Sequence, residues 1–205
     1  MDEELSTFRG VAAYNVLTQS CAMDKVDALN DILDKARTSG TLPRIGEIGF
    51  TRDFGAFGDS WQLAQSSDVM LHMSPKETMM HASRWVNVRA VSKMGADAQT
   101  AWQQLALLQN RPGPISADTV DTVTKDLIVA AYSVGMMNGI GGREDGRLGE
   151  QGIPRLLPNG EPWSLPTIKK WAAEAPICIP LLVDGKPYLS TRPKYSVDLP
   201  KDLVG

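Results

Sequence analysis

The sequence predicts a mainly α protein, with a compact core of about five to six helices, long loops, a small C-terminal β-hairpin and an extended tail. Three observations support this fold class. Apolar residues recur every three or four positions over several long segments. The tetrapeptide SPKE at 74–77 has the form of a helix-capping box. Asp184-Gly185 separates two strand-like runs, which indicates a hairpin with a type I′ turn.

The first forty residues predict two helices. One covers residues 3–20, where apolar residues follow helical spacing and Gly10 is the weakest position. The second begins after Asp24, which has the side chain of an N-cap, and ends at Ser39-Gly40.

The stretch 41–58 is predicted to be a long ordered loop with a short strand, because it contains four glycines and its apolar residues are irregularly spaced. It contains Phe50, Phe54 and Phe57, three of the four phenylalanines of the chain. Aromatic side chains in a loop anchor it to a core or to a partner subunit, so these three are candidate interface residues. A short helix near 60–66 is expected to follow.

Two further helices are predicted in the middle of the chain. The capping box at 74–77 begins the first, which is expected to run to about Met94 and stop at Gly95. Asp97 is expected to cap the next helix, which ends at 110–114, where two prolines flank a glycine.

The most periodic segment starts at Ser116 or Asp118 and is predicted to end at Asn138-Gly139, a favourable C-cap. Glycine and proline dominate the following residues, up to a short helix expected at about 166–174.

This change of composition divides the chain into two parts. Residues 1–138 are interpreted as the helical core domain. Residues 139–205, a Gly/Pro-rich loop, a short helix and a hairpin, have too little apolar material for a core of their own. They are expected to form an arm that packs on the core or on a neighbouring subunit.

Composition limits the possible functions. The chain has 205 residues and a net charge of −3, which argues against a generally basic nucleic-acid-binding protein. No apolar run approaches the roughly 18 residues of a membrane span, and the acidic N-terminus does not resemble a signal peptide. Cys21 and Cys178 are therefore expected to be free thiols, and the protein to be cytoplasmic, or part of a virion if it is viral.

The stretch NGIGGREDGRLGEQG at 138–152 has six glycines but no lysine, and it follows a predicted helix. A phosphate-binding Walker or dinucleotide loop needs a preceding strand, so no nucleotide cofactor is expected. The stretch is interpreted as a flexible surface loop, part of a longer loop over 139–163 that becomes ordered on a neighbouring subunit. Trp163, in the same loop, is a further candidate interface residue.

An alternative for the same stretch is binding of an anion or nucleic acid, because glycine-rich backbone with interleaved arginines can approach phosphates closely. The candidate residues for this binding are Arg143, Arg147, Arg155, Arg44 and Arg52.

Two other groups of polar residues, aspartates and histidines, give weaker evidence for a functional site. A row of aspartates lies at helical spacing, opposite an apolar stripe, and is interpreted as a solvated helix face. Its members are Asp24, Asp27, Asp31 and Asp34. His72 and His81 lack the spacing of a metal site, so neither a metal nor another cofactor is expected.

Three function classes follow. The first is a non-enzymatic, self-assembling structural protein, such as a viral or phage coat, head or tail component or a filament subunit, with nucleic acid a possible further partner. The second is a small enzyme without a linear motif, whose chemistry would come from the aspartate row, His72 or His81. The third is a helical regulatory or nucleic-acid-binding module. The three extended segments favour the first class.

Overall fold

The computed structural model describes residues 2–52, 54–55, 57–157, 159–190, 192 and 203, and α-helices dominate this part of the chain. The mainly α prediction is confirmed. The helices are α1 (Asp2–Ser39), α2 (Asp59–Gln65), α3 (Pro75–Ala106), α4 (Ala117–Glu150) and α5 (Leu165–Ala173). Two short 3₁₀ helices cover Asp68–His72 and Pro176–Cys178.

The three long helices α1, α3 and α4 pack side by side. Helix α4 runs antiparallel to α1, since Arg37 near the end of α1 pairs with Asp121 near the start of α4. It also runs antiparallel to α3, as expected for helices joined by a short connection. Strands β1 (Thr41–Leu42) and β2 (Gly113–Pro114) pair in antiparallel register and tie together the two connections at that end of the bundle.

Two apolar clusters fill the bundle. The larger joins the second half of α1 to the end of α3, the start of α4 and the C-terminal arm. The smaller lies around the start of α1, with Leu5, Phe8, Trp61, Trp85 and Leu148 fully or almost fully buried. Burial of such large side chains supplies most of the driving force that holds long helices together.

The prediction of two helices in the first forty residues is wrong, because α1 is continuous from Asp2 to Ser39. Asp24 is an exposed residue inside the helix and not an N-cap. The contacts of its neighbours explain the continuity: the Lys25 ammonium donates to the Ile179 carbonyl, and Cys21 is bonded to Cys178. Tertiary packing here overrides a local capping signal.

The prediction of two free thiols is also wrong. Cys21 on α1 and Cys178 in the last 3₁₀ helix form a disulfide, with their Cα atoms 4.9 Å apart. The two residues are 157 positions apart in sequence, so nothing local indicated the pairing. The bond attaches the C-terminal arm to α1.

Helix α3 begins as predicted. The Ser74 hydroxyl accepts from the Glu77 N–H at 3.3 Å, and the Glu77 carboxylate accepts from the Ser74 N–H at 2.8 Å. The predicted stop at Gly95 is wrong, since α3 continues to Ala106. The buried side chains Ala98 and Trp102 beyond Gly95 continue the packed face of the helix, which outweighs the cost of one glycine.

Helix α4 also begins as predicted, with Ser116 as the N-cap accepting from the Thr119 N–H at 3.1 Å. Its predicted end at Asn138-Gly139 is wrong, because the helix continues to Glu150. The flexible loop predicted over 139–163 is therefore helical in its first part. The boundary proposed at residue 138 falls inside this helix.

The C-terminal hairpin is confirmed. Strands β3 (Leu182–Val183) and β4 (Lys186–Pro187) pair, and both turn residues have positive φ, 50° at Asp184 and 78° at Gly185. This backbone is the one a type I′ turn requires. The hairpin is attached to the loop after α1, because the Asp184 N–H donates to the Arg44 carbonyl at 2.9 Å.

Other parts of the arm also lie on the same chain. Helix α5 and the 3₁₀ helix at 176–178 contact α1. The extended tail expected at the C-terminus lies outside the described residues except for Leu203, which is buried against Ala13 and Val16. None of the described helices is long and apolar enough to cross a membrane.

Candidate functional site

The second half of α4 contains most of the glycine-rich stretch, and its two sides differ. Glu144 and Asp145 are buried against α1 and α3, with 3% and 5% of their surface exposed. Gly139, Arg143 and Arg147 face outward. The stretch thus has an inner side with buried carboxylates and an outer side on which glycines alternate with exposed arginines, and Arg143 Nε donates to the Gly139 carbonyl at 2.9 Å.

Asp145 is the centre of the inner side. Its Oδ1 accepts from Arg9 Nε at 2.7 Å and from Arg155 Nε at 3.0 Å, and its Oδ2 accepts from Arg155 Nη2. All three side chains are at most 10% exposed. Since an unpaired buried charge is strongly unfavourable, this carboxylate neutralises part of the charge of two guanidiniums that cannot reach water freely. It joins α1, α4 and the segment after α4.

Glu144 is the acceptor of a second, adjacent network. Its carboxylate accepts from Asn87 Nδ2 at 3.1 Å and lies 3.8 Å from Arg84 Nε and 3.6 Å from Arg147 Nη1. Arg84 is also buried, and it donates to the side chain of Gln151. Burial lowers the pKa of Arg84, although the neighbouring Glu144 carboxylate partly offsets that effect.

Two glycines allow this inner side to close. A Cβ at Gly10 would lie 1.7 Å from the Leu156 carbonyl oxygen, so the segment after α4 can cross α1 only at a glycine. A Cβ at Gly149 would lie 2.7 Å from Arg9 Nη2. The packing of a single chain therefore explains why both residues are glycine.

The packing of a single chain does not explain the glycines on the outer side. A Cβ at Gly135, Gly139, Gly142 or Gly146 would meet no atom within 4 Å. These positions are spaced by four, three and four residues, which places them on one face of the helix.

The same outer face carries apolar side chains one to two turns earlier. Ile128 and Tyr132 are each 62% exposed and Val129 is 44% exposed. They border a groove of about 410 Å³ between α4 and α3. The groove is otherwise lined by Ala90, Lys93, Met94, Asp97 and Ser133. We call this surface, Ile128–Tyr132 with the groove and the four outward glycines, the α4 face.

The structure does not gather the five candidate arginines in one place. Arg143 and Arg147 line a polar cleft of about 210 Å³ with Asn87, Ile140 and Glu144. Arg155 is paired with Asp145, as described above. The two remaining arginines are exposed in the loop before α2, Arg44 beside the hairpin and Arg52 beside Phe54.

The structure also places the four candidate interface aromatics in different environments. Phe54 packs edge-on against Tyr14 at 5.0 Å, and Phe57 packs edge-on against Phe8 at 5.6 Å, so both anchor their loop to α1 of the same chain. Phe50 is 43% exposed. Trp163 is half-buried, with the Arg155 guanidinium 5.2 Å above its ring. A residue from the predicted anion-binding set and one from the predicted interface set thus contact each other.

The groups that an enzyme would use lie in different places. His81 stacks on Trp61 in the smaller cluster, and burial lowers its pKa. Asp31 pairs with Arg192 at 3.1 Å and accepts from the Ser190 hydroxyl, so this part of the aspartate row is covered and not solvated as predicted. Among the described residues, no group of three His, Cys, Asp or Glu side chains could hold a metal ion.

Sequence reasoning missed the buried charges. Arg9 and Arg84 sit at helix positions whose neighbours Phe8 and Trp85 are buried, and Asp145 continues the apolar face of α4 one turn beyond Gly141. The signal was present, since a charged residue on the buried side of a helical period needs a partner of opposite charge. It was hidden because the glycines suggested that the helix ended at residue 138.

Comparisons with protein-family models, with curated proteins and with solved structures found no match to this chain.

Proposed function

We propose that this protein is a structural subunit that associates with copies of itself, and that it is not an enzyme. Coat, head or tail components of viruses and phages, and filament subunits, belong to this class. The observation that supports the proposal is the α4 face: three large apolar side chains are more than 40% exposed beside a groove between α4 and α3. Contiguous exposed apolar surface marks interaction sites in soluble proteins.

The remaining residues also favour this class over an enzyme. His81 stacks on Trp61, whereas Asp31 pairs with Arg192, so these two groups lie in different environments and do not share a pocket. The polar cleft beside Asn87 has two outward arginines, and its carboxylate, Glu144, is already engaged by Arg84 and Asn87.

Contact with nucleic acid is a narrower part of the proposal and depends on Arg143 and Arg147, the two arginines that line one cleft. Binding of a fluorescent single-stranded oligonucleotide should weaken steeply as salt rises, and the slope should shrink for Arg143→Ala or Arg147→Ala. An unchanged slope would remove both residues from that role.

The experiment for the main proposal is a concentration series of the purified protein by light scattering, accompanied by negative-stain microscopy. The chain has a mass of 22.3 kDa. We expect a mass of at least twice that value at concentrations on the order of 10 µM, the range in which interfaces of modest affinity are populated. A constant mass of one chain throughout the series, without particles on the grid, would refute self-association.

A further inference from the structure

We infer that the polar cleft beside Asn87 binds one phosphate group, with Arg143 and Arg147 as its charged ligands and the Asn87 side-chain amide as a third donor. The inference rests on the narrower part of the proposed function, contact through the two arginines, and names the chemical group that they bind. It does not require self-association. Two sources supply such a group, a nucleic-acid backbone and free phosphate, and titration with each of them distinguishes the two.

The geometry of the cleft is the first argument. Its volume is about 210 Å³, and Arg143, Arg147 and Asn87 line it together with Ile140 and Glu144. Residues four apart on a helix have Cβ atoms about 5–6 Å apart, so the two arginine side chains leave α4 close to each other and border the same space. Asn87 reaches the cleft from α3. Donors from two helices thus surround a space that is open to solvent.

The two guanidiniums keep most of their hydrogen-bonding capacity for a ligand. Arg143 uses its Nε, which donates to the Gly139 carbonyl at 2.9 Å, and Arg147 Nη1 lies 3.6 Å from Glu144 Oε2. Within the described part of the chain, the other nitrogens of both side chains have no acceptor. Both side chains are exposed, so a ligand can reach them without unfolding. Guanidinium groups bind phosphate through pairs of N–H donors, which makes arginine a preferred phosphate ligand.

The carboxylate of Glu144 does not exclude an anion, because its charge is compensated inside the protein. Its side chain is only 4% exposed, and it lies 3.8 Å from Nε of Arg84, a guanidinium that is equally buried. It also accepts from Asn87 Nδ2 at 3.1 Å. Arg84 therefore balances Glu144, and Glu144 orients the Asn87 amide at the edge of the cleft.

The charge that remains favours phosphate over a carboxylate ligand. With Glu144 balanced by Arg84, Arg143 and Arg147 leave the cleft with an excess of two positive charges, although the whole chain has a net charge of −3. Glu150, at the end of α4, does not line the cleft. Two guanidiniums and an amide can donate to three oxygens of a phosphate, whereas a carboxylate has two oxygens and one charge.

Calorimetric titration with inorganic phosphate tests the site, at constant ionic strength and at about pH 8, where phosphate is mainly a dianion. Wild type should bind phosphate with a Kd on the order of 1 mM. Arg143→Ala and Arg147→Ala should each weaken binding by about tenfold or more, because each loses a charge-assisted contact, and Asn87→Ala should weaken it by roughly threefold to tenfold. The matched control is Arg111→Ala, which removes an exposed arginine from the connection between α3 and α4 and should leave the affinity unchanged. The same proteins are titrated with a fluorescent single-stranded oligonucleotide and with acetate.

The two ligands identify the source of the phosphate. Binding of inorganic phosphate that both arginine variants weaken supports the inference with free phosphate as the source. Oligonucleotide binding that the same two variants weaken, without binding of inorganic phosphate, supports it with a nucleic-acid backbone as the source.

Three results would overturn the inference: no binding of either ligand, affinities that neither arginine variant changes, or acetate binding as tight as phosphate binding. An unchanged affinity for Asn87→Ala would overturn the role of the amide as third donor. Light scattering keeps the main proposal separate. An oligomer that binds neither ligand refutes only this inference, and a single-chain mass with intact phosphate binding refutes only self-association.

Discussion

Replacement of Asp145 by asparagine should destabilise the protein severely, although the change is nearly isosteric. Asp145 binds two guanidiniums, Arg9 and Arg155, and none of the three side chains is more than 10% exposed. The substitution changes the formal charge of the three side chains together from +1 to +2. Breaking a buried ion pair by removing one partner costs about 3–5 kcal/mol, because the remaining charge stays uncompensated.

Urea unfolding monitored by circular dichroism measures this loss. With a denaturant dependence of about 2–3 kcal/mol per M, the loss corresponds to a decrease of roughly 1–2.5 M in the unfolding midpoint. Total stabilities of domains are about 5–15 kcal/mol, so the variant would lose a large fraction of its stability. The matched control is Glu150→Gln, an exposed carboxylate at the end of the same helix, which should change the stability by less than about 0.5 kcal/mol. A midpoint for Asp145→Asn within about 0.3 M of wild type would refute the assigned pairing.

Three further predictions concern the arm, the glycines and pH. Cys178→Ser removes the disulfide, which links residues 157 positions apart in sequence. The chain-entropy model gives a decrease of up to about 5 kcal/mol in the free energy of unfolding. The urea midpoint of the variant should therefore match that of reduced wild type. Gly10→Ala should lower the thermal midpoint, because the added Cβ would overlap the Leu156 carbonyl. Gly139→Ala should instead raise the free energy of unfolding in dilute solution by up to about 1 kcal/mol, because its Cβ meets no other atom. Equal effects of the two substitutions would contradict the assigned packing. Burial lowers the pKa of Lys25 to about 8 from 10.5, so the unfolded chain binds more protons between these values and stability should rise with pH there. The urea midpoint should therefore be higher at about pH 9.5 than at about pH 7.5 in wild type, and the difference should be smaller in Lys25→Met. An equal pH-dependent change of the midpoint in both proteins would contradict the role of Lys25.

Local signals predicted the elements whose ends depend on a few neighbouring residues. The capping box at Ser74 and the turn at Asp184-Gly185 are examples, because a short segment satisfies its own backbone hydrogen bonds there. The helix ends placed at Gly95 and Gly139 failed for the opposite reason. Whether a glycine ends a helix depends on what packs beyond it, and that information lies in distant parts of the chain.

The candidate site was predicted only in part. The sequence pointed to the segment after residue 138 as unusual and expected a neighbouring subunit to contact it. A charge on the buried side of a helix indicates that a partner is needed but not which residue it is, and the partner of Asp145, Arg9, lies 136 positions away. The division of α4 into an inner side with buried carboxylates and an outer side with glycines and exposed arginines depends on the helical conformation of residues 139–150, which the sequence did not predict.

The most direct test of the central claim compares the light-scattering mass of two surface variants with that of wild type. Tyr132→Asp introduces a charge into the α4 face, and Leu71→Asp introduces one at a comparably exposed apolar residue elsewhere; their exposures are 62% and 79%, so both chains should fold. We expect wild type and Leu71→Asp to have the same oligomeric mass and Tyr132→Asp to fall towards 22.3 kDa. An unchanged oligomeric mass for Tyr132→Asp would contradict the claim that the α4 face joins the copies.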